Sequence, residues 1–455
     1  MSNHYQIAVV GSGSGGREAA FLAAQKGLRT ALIERDKIGG VSFHRGCYAV
    51  RALQACAFQY RNGLRSGRFG NKAELLKATL YDWIVAQSEV SSRLANDFER
   101  ELGELNIDLH RGHAEFVDER TLQVIGDRGA RRTITADNII VASGSRPAFH
   151  GSSMRRLVNS EELLSLTTLP NRLAIIGAGY IGSEFASIYR TLGCEVTLVE
   201  KEARILPGWE AEAGERVAEV LKDRGVNIKV EYPVHFEQIA EQPDAVHIFG
   251  PNGQRVEADL VLVATGRKPN SKELGLEALG IKESSFLKVD DRMRVSGSGI
   301  YDVGDVNGFS MLDSTAFAQA NVAINAVLGR EESRFDRRWI PRCVHTEPAI
   351  AAVGWTEDEA AVDGIEYLVV KDTIRLISDN DRSVIEPEQT FVKVIIDAHS
   401  MHLLGCLIVG DHAAVIANTA AIAMRSGLTV EKLRELSLAQ PSAADALLSV
   451  LRKIG

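Results

Sequence analysis

Apolar runs that end abruptly in glycine set the pattern of this chain. Ile7-Ala8-Val9-Val10 leads into Gly11-Ser12-Gly13-Ser14-Gly15-Gly16, then an alanine-rich stretch, then Thr30-Ala31-Leu32-Ile33-Glu34. A short unbroken apolar run reads as a buried strand, and the amphipathic stretch after the glycines reads as a helix packed on it. The spacing predicts strand, tight turn, helix, strand. The same order returns at Leu173-Ala174-Ile175-Ile176, followed by Gly177, Gly179 and Gly182, with Glu200 closing the next strand. Two further apolar runs end in small-residue turns carrying an arginine, VASGSRP at 141–147 and VATGRKPN at 263–270. IYDVGD at 300–305 reads as a strand delivering Asp305 to the start of a helix. Near the C-terminus, FVKVIIDAHSMHLLGCLIVG reads as two strands around a polar turn, followed by helical stretches.

The glycine turns carry chemistry as well as shape. Gly11, Gly13 and Gly16 form G-x-G-x-x-G directly after a strand, and Gly177, Gly179 and Gly182 repeat it. The first glycine makes the turn, the second lets backbone N–H groups approach a pyrophosphate, and the third lets the helix pack close to the sheet. Glu34 and Glu200 each follow the first glycine by 23 positions, where an acid takes a ribose hydroxyl. One chain therefore holds two dinucleotide sites. Glu200 would repel a 2′-phosphate, so NADH is favoured over NADPH, and Lys201 and Arg204 are the residues such a phosphate would meet. Two dinucleotides with no substrate domain between them suggest a flavin reduced by a nicotinamide.

Composition narrows the setting. The 455 residues exceed what one core can serve and suggest two to four domains. The net charge of −8 argues against nucleic-acid or acidic-lipid partners, and no apolar run is long enough to span a bilayer. No signal peptide is read at the N-terminus, and five scattered cysteines are not a secreted disulfide framework, so the cytoplasm is expected. No Cys/His cluster has zinc spacing, so no structural metal is expected.

The two fingerprints, the two arginine-bearing turns and Asp305, in this order, resemble the flavoprotein pyridine nucleotide–disulfide oxidoreductases. That is the group of dihydrolipoamide dehydrogenase, mercuric reductase and glutathione reductase, and the resemblance spans essentially the whole chain. It implies an α/β fold of two Rossmann-like dinucleotide-binding domains plus a C-terminal α+β dimerisation domain. The implied limits are FAD-binding at 1–150 and 271–340, NAD(P)-binding at 151–270 and a homodimer interface at 341–455. Gly11, Gly13, Gly16, Glu34, Arg35, Gly40, Ser143, Gly144 and Asp305 are the implied FAD contacts, with Asp305 on the ribityl chain. Gly177, Gly179, Tyr180, Gly182, Glu200 and Gly266 are those of the nicotinamide side, Tyr180 matching a tyrosine that covers the flavin in some relatives.

The redox stretch departs from the family form, G-G-T-C-x-N-x-G-C-x-P-S-K. Aligned on Gly39, Gly40 and Gly46, the chain has Ser42 at the first cysteine and Cys47 at the second, then Ala49, Val50 and Arg51. A serine hydroxyl is not ionised near neutral pH and forms no disulfide. The resemblance pairs Arg51 with Glu184 beside the flavin. Near the C-terminus the family's histidine–glutamate base pair is replaced by Gln440 and Asp445. Cys47 is expected at a helix start, where the dipole favours thiolate. It reads as a charge-transfer thiolate, a sulfenic-acid centre, an attachment point or a packing residue. His44, three residues earlier, is expected on the same helical turn as a base for Cys47, or else as a surface histidine. A Cys47–Cys56 disulfide is not expected, and His345 and Glu347 are assigned no chemistry.

These readings converge on an FAD-dependent NAD(P)H:acceptor oxidoreductase with Cys47, His44, Arg51 and Glu184 at its catalytic centre. The acceptor, a small molecule or a protein, is not specified by the residues. A soluble pyridine nucleotide transhydrogenase and a non-catalytic flavin-binding regulatory partner are the alternatives.

Overall fold

The first apolar run is buried because it forms the middle of a sheet. A computed structural model describes residues 3–65, 80–151, 153–281, 286–295, 299–330, 332–375, 389–439 and 442–454. Strand β1 (His4–Val10) turns through the glycines into helix α1 (Ser14–Gln25) and returns as β2 (Thr30–Glu34), parallel to β1. Helices α2 (Gly40–His44), α3 (Cys47–Arg65) and α4 (Leu80–Glu104) follow. Strands β3 (Asp108–Arg111), β4 (His113–Asp118), β5 (Thr121–Ile125) and β6 (Arg131–Val141) complete the order β3-β2-β1-β6-β5-β4.

A second, fully parallel sheet repeats the plan. After β7 (Ser145–Pro147), β8 (Leu157–Val158) and α5 (Ser160–Leu163), the second glycine turn joins β9 (Arg172–Ile176) to α6 (Tyr180–Thr191) and β10 (Glu195–Val199). Helix α7 (Ala211–Asp223) and β11 (Asn227–Lys229) come next, then the small antiparallel sheet of β12 (Ile239–Glu241), β13 (Val246–Phe249) and β14 (Arg255–Ala258). With β15 (Leu260–Val263) the order is β11-β10-β9-β15-β8. The two arginine-bearing turns meet: β16 (Arg267–Pro269) pairs antiparallel with β7. The chain then returns to the first sheet, where β17 (Ile300–Asp302) lies parallel to β6. Asp305 begins a single 3-10 turn, and helix α8 (Asp313–Val327) starts eight residues later. The expected helix start at Asp305 is thus a short turn before the real helix.

The third sheet is antiparallel, with β18 (Arg342–Val344), β19 (Ile350–Gly354), α9 (Glu357–Val362), β20 (Tyr367–Arg375), β21 (Gln389–Asp397) and β22 (Leu403–Val409). Its order is β18-β19-β22-β21-β20, and the expected pair around a polar turn is β21 against β22. Helices α10 (Ala413–Arg425), α11 (Val430–Arg434) and α12 (Asp445–Leu451) follow, so the α/β fold with two dinucleotide-binding units and a C-terminal α+β unit is present. Lys393, buried on β21, pairs with Glu210 before α7 and at 2.8 Å with Glu357, tying the third sheet to the second unit. Two carboxylates around one buried ammonium offset its desolvation. Among the described residues no helix is long and apolar enough to cross a membrane.

Candidate active site

At the first turn each glycine answers a different steric demand. Gly11 has φ +103°, and a Cβ there would lie 2.4 Å from the Ala142 carbonyl oxygen. A Cβ on Gly16 would lie 1.8 Å from the Gly11 oxygen, so this glycine serves helix–turn packing. A Cβ on Gly13 would meet nothing within 4 Å, because it faces a cavity of about 520 Å³. Gly40, at φ +58°, packs against Gly13 and brings α2 to the cavity rim. Glu34 is buried and accepts hydrogen bonds from the backbone N–H of Ser12 (2.9 Å) and of Asp36 (2.8 Å). It thereby braces the turn and still lines the cavity.

The second turn repeats this stereochemistry. A Cβ on Gly177 would lie 2.7 Å from the Ala264 oxygen, one on Gly182 would lie 1.9 Å from the Gly177 oxygen, and Gly179 is open. Glu200 is buried and accepts from Ala178 N–H at 2.7 Å, the counterpart of Glu34. Lys201 pairs with Glu202 at 3.3 Å, and Arg204 donates to the Trp209 carbonyl at 3.3 Å. Gly177, Gly179, Gly182, Glu200 and Gly266 do not line the large cavity, whereas Tyr180 and Glu184 on α6 do. The second unit thus contributes a face of α6, together with Ser160, Arg267 and Asn270, to the cavity and keeps its own glycine turn apart.

Asp305, on the turn after β17, also lines the cavity. It accepts from Ser145 Oγ at 2.6 Å, and Arg267 donates to that oxygen at 2.7 Å while standing 3.9 Å from the carboxylate. Burial pushes the Asp305 carboxyl up, and Ser145 and Arg267 oppose that shift. Ser143 and Gly144 also line the cavity, as does Arg35, which stands 3.9 Å from Glu273. The Ser143 hydroxyl is buried with no hydrogen-bond partner, and Nη2 of Arg51 has no hydrogen bond beyond its ion pair with Glu184. An open glycine, helix N-termini and unsatisfied polar atoms around one long cavity fit a dinucleotide such as FAD.

The cavity floor holds the redox stretch. Cys47 is the first residue of α3, opens to the cavity and, like Cys56, Cys194, Cys343 and Cys406, is a free thiol. Ser42 on α2 is buried and donates to Asp313 at 2.7 Å. Arg51, one turn along α3, faces Glu184 at 3.4 Å, and Glu184 also accepts from His345 N–H at 2.7 Å. Burial pushes the Glu184 carboxyl up, against the pull of Arg51 and this N–H.

One expectation about this floor is opposed by nearby charges, and a second is not met. The helix-start preference of Cys47 for a thiolate is opposed by its surroundings: although the residue opens to the cavity, desolvation by the neighbouring protein and the Asp313 carboxylate push the thiol up, with Glu184 and Asp305 acting in the same direction. His44 and Cys47 do not share a helical turn. α2 ends at His44, Arg45 leaves helical geometry at φ −142°, and α3 begins afresh at Cys47. His44 Nε2 lies 2.9 Å from the Ile38 carbonyl, outside the cavity lining. Gln440 lies outside the described residues, and Asp445 begins α12, 3.7 Å from Arg452.

Asp313 and Cys343 escaped the sequence reading, and His345, assigned no chemistry there, also lines the cavity. Asp313 has no local motif, and its contact with Ser42 spans 271 positions. Cys343 and His345 arrive on and after β18, with the sulfur 3.6 Å from Nδ1. Burial pushes the Cys343 thiol up to about 12, and burial together with the Arg51 charge lowers His345 to about 4. Nothing in the flanking Arg342 and Val344 signalled that Cys343 would reach a cavity. Among the described residues no group of three or more His, Cys, Asp or Glu side chains is placed to hold a metal ion.

Comparison with known proteins accords with this arrangement. Residues 5–326 match the pyridine nucleotide-disulphide oxidoreductase profile, and residues 340–450 match the dimerisation domain of the same family. Dihydrolipoyl dehydrogenase of Chlorobaculum parvum is 30% identical over 98% of this chain and 96% of its own. Mercuric reductase of Staphylococcus aureus is 30% identical over 95% of this chain and 79% of its own. Among solved structures, the HOCl-induced flavoprotein disulfide reductase RclA of Escherichia coli superposes with a TM-score of 0.85 at 26% identity, covering 99% of this chain and all of RclA. A cysteine-to-serine mutant of RclA, solved as a Cu(II) complex, gives 0.87.

Proposed function

Because this chain belongs to the pyridine nucleotide-disulphide oxidoreductase family, we propose that it is an FAD-dependent NAD(P)H:acceptor oxidoreductase that works without a redox disulfide. The observation that carries this reading is Ser42, whose hydroxyl sits in the cavity floor hydrogen-bonded to Asp313 while Cys47 remains a free thiol. An alcohol there can neither exchange with a disulfide nor pair with Cys47.

FAD, when bound, supplies a two-electron relay between nicotinamide and acceptor. The chain's own groups bind and orient. The N–H groups at the start of α1 and the open face of Gly13 receive a pyrophosphate, and Glu34 receives a ribose. Asp305, held by Ser145 and Arg267, receives the ribityl hydroxyls. Arg51 and Glu184 place one charge of each sign between α3 and α6, and Tyr180 at the start of α6 covers the nicotinamide side. Glu200 disfavours a 2′-phosphate, which supports NADH as donor. The dimerisation domain supports a homodimer.

The test is anaerobic mixing of flavin-loaded protein with NADH, then with a panel of acceptors. A small quinone or a nucleotide analogue is expected to reoxidise the protein quickly, and lipoamide and glutathione disulfide slowly. Rapid turnover with lipoamide would overturn the reading.

A further inference from the structure

Three helices meet at the cavity, and one carboxylate ties them together. Ser14 is the first residue of α1, Ser42 lies in α2 and Asp313 is the first residue of α8, and all three line the cavity. Ser14 Oγ donates to Asp313 Oδ1 at 2.7 Å, and Ser42 Oγ donates to Oδ2 at 2.7 Å. Both oxygens act as acceptors, one hydroxyl each, which is the pattern of an ionised carboxylate held in a single orientation. The serine that stands where the family has a cysteine thus fastens α2 to α8. No change of redox state can open that contact.

The other acids of the cavity have their charge offset locally. Glu184 faces Arg51 at 3.4 Å, Asp305 stands 3.9 Å from Arg267 and Asp36 pairs with Arg45 at 2.7 Å. Glu34 accepts from the N–H groups of Ser12 and Asp36. Among the described residues no cationic side chain stands within ion-pair range of Asp313, whose oxygens meet the two neutral hydroxyls. Asp313 also occupies the first turn of α8, and Leu312, Ser314 and Ala316 beside it line the cavity. The free N–H groups of that helix end would favour an anion, and a carboxylate on the same turn offsets them. Its charge is the one left to act on what the cavity holds.

We propose that the Asp313 charge, held in place by Ser14 and Ser42 as positioning residues, lowers the reduction potential of a flavin bound in this cavity. The inference rests on the oxidoreductase reading above and adds the direction in which the site biases electrons. A hydride leaving NADH gives NAD and brings two electrons and one proton to the flavin, and so one unit of negative charge into the cavity. The acceptor then takes the hydride together with one proton from solvent, which restores the oxidised flavin. A fixed carboxylate disfavours the charge while it is in the cavity and favours its departure. The site favours passing electrons on over holding them.

The midpoint potential of the bound flavin tests this. Flavin-loaded wild type and Asp313→Asn are reduced slowly and anaerobically beside a reference dye of known potential, and the flavin and dye bands are followed together. Asp313→Asn keeps the size and, because a serine hydroxyl can donate or accept, keeps both contacts without the charge. Its midpoint is expected to lie at least about 30 mV above wild type, a tenfold change in the equilibrium constant of a two-electron couple. Asp313→Glu keeps the charge and is expected to retain the wild-type potential, which a purely structural role would not require. An unchanged midpoint in Asp313→Asn, or an equal rise in Asp313→Glu, would overturn the proposal. Should Asp313→Asn fail to fold, Asp313→Ser, neutral and smaller, takes its place with the same rise expected and the same contrary result. A wild type that takes up no FAD would overturn the oxidoreductase reading and this proposal with it, whereas a yellow protein with an unshifted variant overturns the proposal alone.

Discussion

Arg51 Nη2 stands 3.4 Å from Glu184 Oε1, joining the helix that begins at Cys47 to the helix that begins at Tyr180. The pair links the two dinucleotide units within the cavity that both line. Glu184→Gln keeps an acceptor for the His345 N–H and removes the charge. Arg51 retains partial contact with water, its side chain being 31% exposed, so the full cost of a buried unpaired charge does not apply. A loss of about 1–2 kcal/mol is expected in denaturant unfolding. An unchanged midpoint would show that the pair contributes nothing to joining the units.

The glycine turns separate folding from binding. Gly16→Ala would drive a Cβ into the Gly11 carbonyl and is expected to abolish soluble folded protein. Gly13→Ala meets no protein atom, so its product is expected to fold with wild-type circular dichroism and to bind FAD at least about tenfold more weakly. Gly179→Ala is expected to leave FAD bound and raise the KM for NADH. Full FAD retention in Gly13→Ala, read from visible absorbance, would place the pyrophosphate elsewhere.

Glu200 should set the choice between nicotinamides. Replacing it with Ala removes one unfavourable charge from the 2′ position and leaves Lys201 and Arg204 nearby. The ratio of kcat/KM for NADPH over NADH is expected to rise about tenfold, or about 1.4 kcal/mol. Because Glu200 also holds Ala178 N–H, some loss with both donors is expected, and only the ratio is diagnostic. An unchanged ratio would remove Glu200 from the specificity argument.

A buried acid behind the Asp305 turn gives the fold a pH dependence. Asp302 has no solvent exposure, one oxygen near Asn307 Nδ2 at 3.4 Å and the other without a partner. Burial raises its carboxyl well above the ordinary value, opposed only by Asn307. The folded state therefore holds a proton that the unfolded chain releases above about pH 4, and stability falls as pH rises from there to the folded-state pKa. Asp302→Asn removes this slope. Its melting temperature relative to wild type is expected to improve from pH 5 to pH 8 by a few degrees. A constant difference would show that Asp302 does not titrate in this window.

The backbone plan was legible in the sequence because it is local. Strand, glycine turn, helix and closing acid lie within one unit, so Gly11 to Glu34 and Gly177 to Glu200 could be read from spacing. The pairing of β7 with β16 was half visible, as two similar turns without the knowledge that they touch. The chemistry of the floor was not legible, because it depends on convergence. Asp313, Cys343 and His345 reach Cys47 and Arg51 from segments hundreds of residues away. His44 was misplaced for a different reason: spacing of three implies a shared face only while the helix continues, and here it breaks at Arg45. The dipole argument for Cys47 took account only of the helix start, whereas the carboxyl groups that oppose a thiolate arrive from distant segments.

In the proposed function electrons pass through this protein without a dithiol, and counting them is decisive. Flavin-loaded protein is titrated anaerobically with NADH while the flavin band is followed. A redox disulfide would store two electrons before or beside the flavin's two. With Ser42 in place, reduction is expected to be complete after one equivalent of NADH per subunit, with no long-wavelength thiolate band appearing on the way. Uptake of two equivalents, lost on Cys47→Ser, would contradict the account.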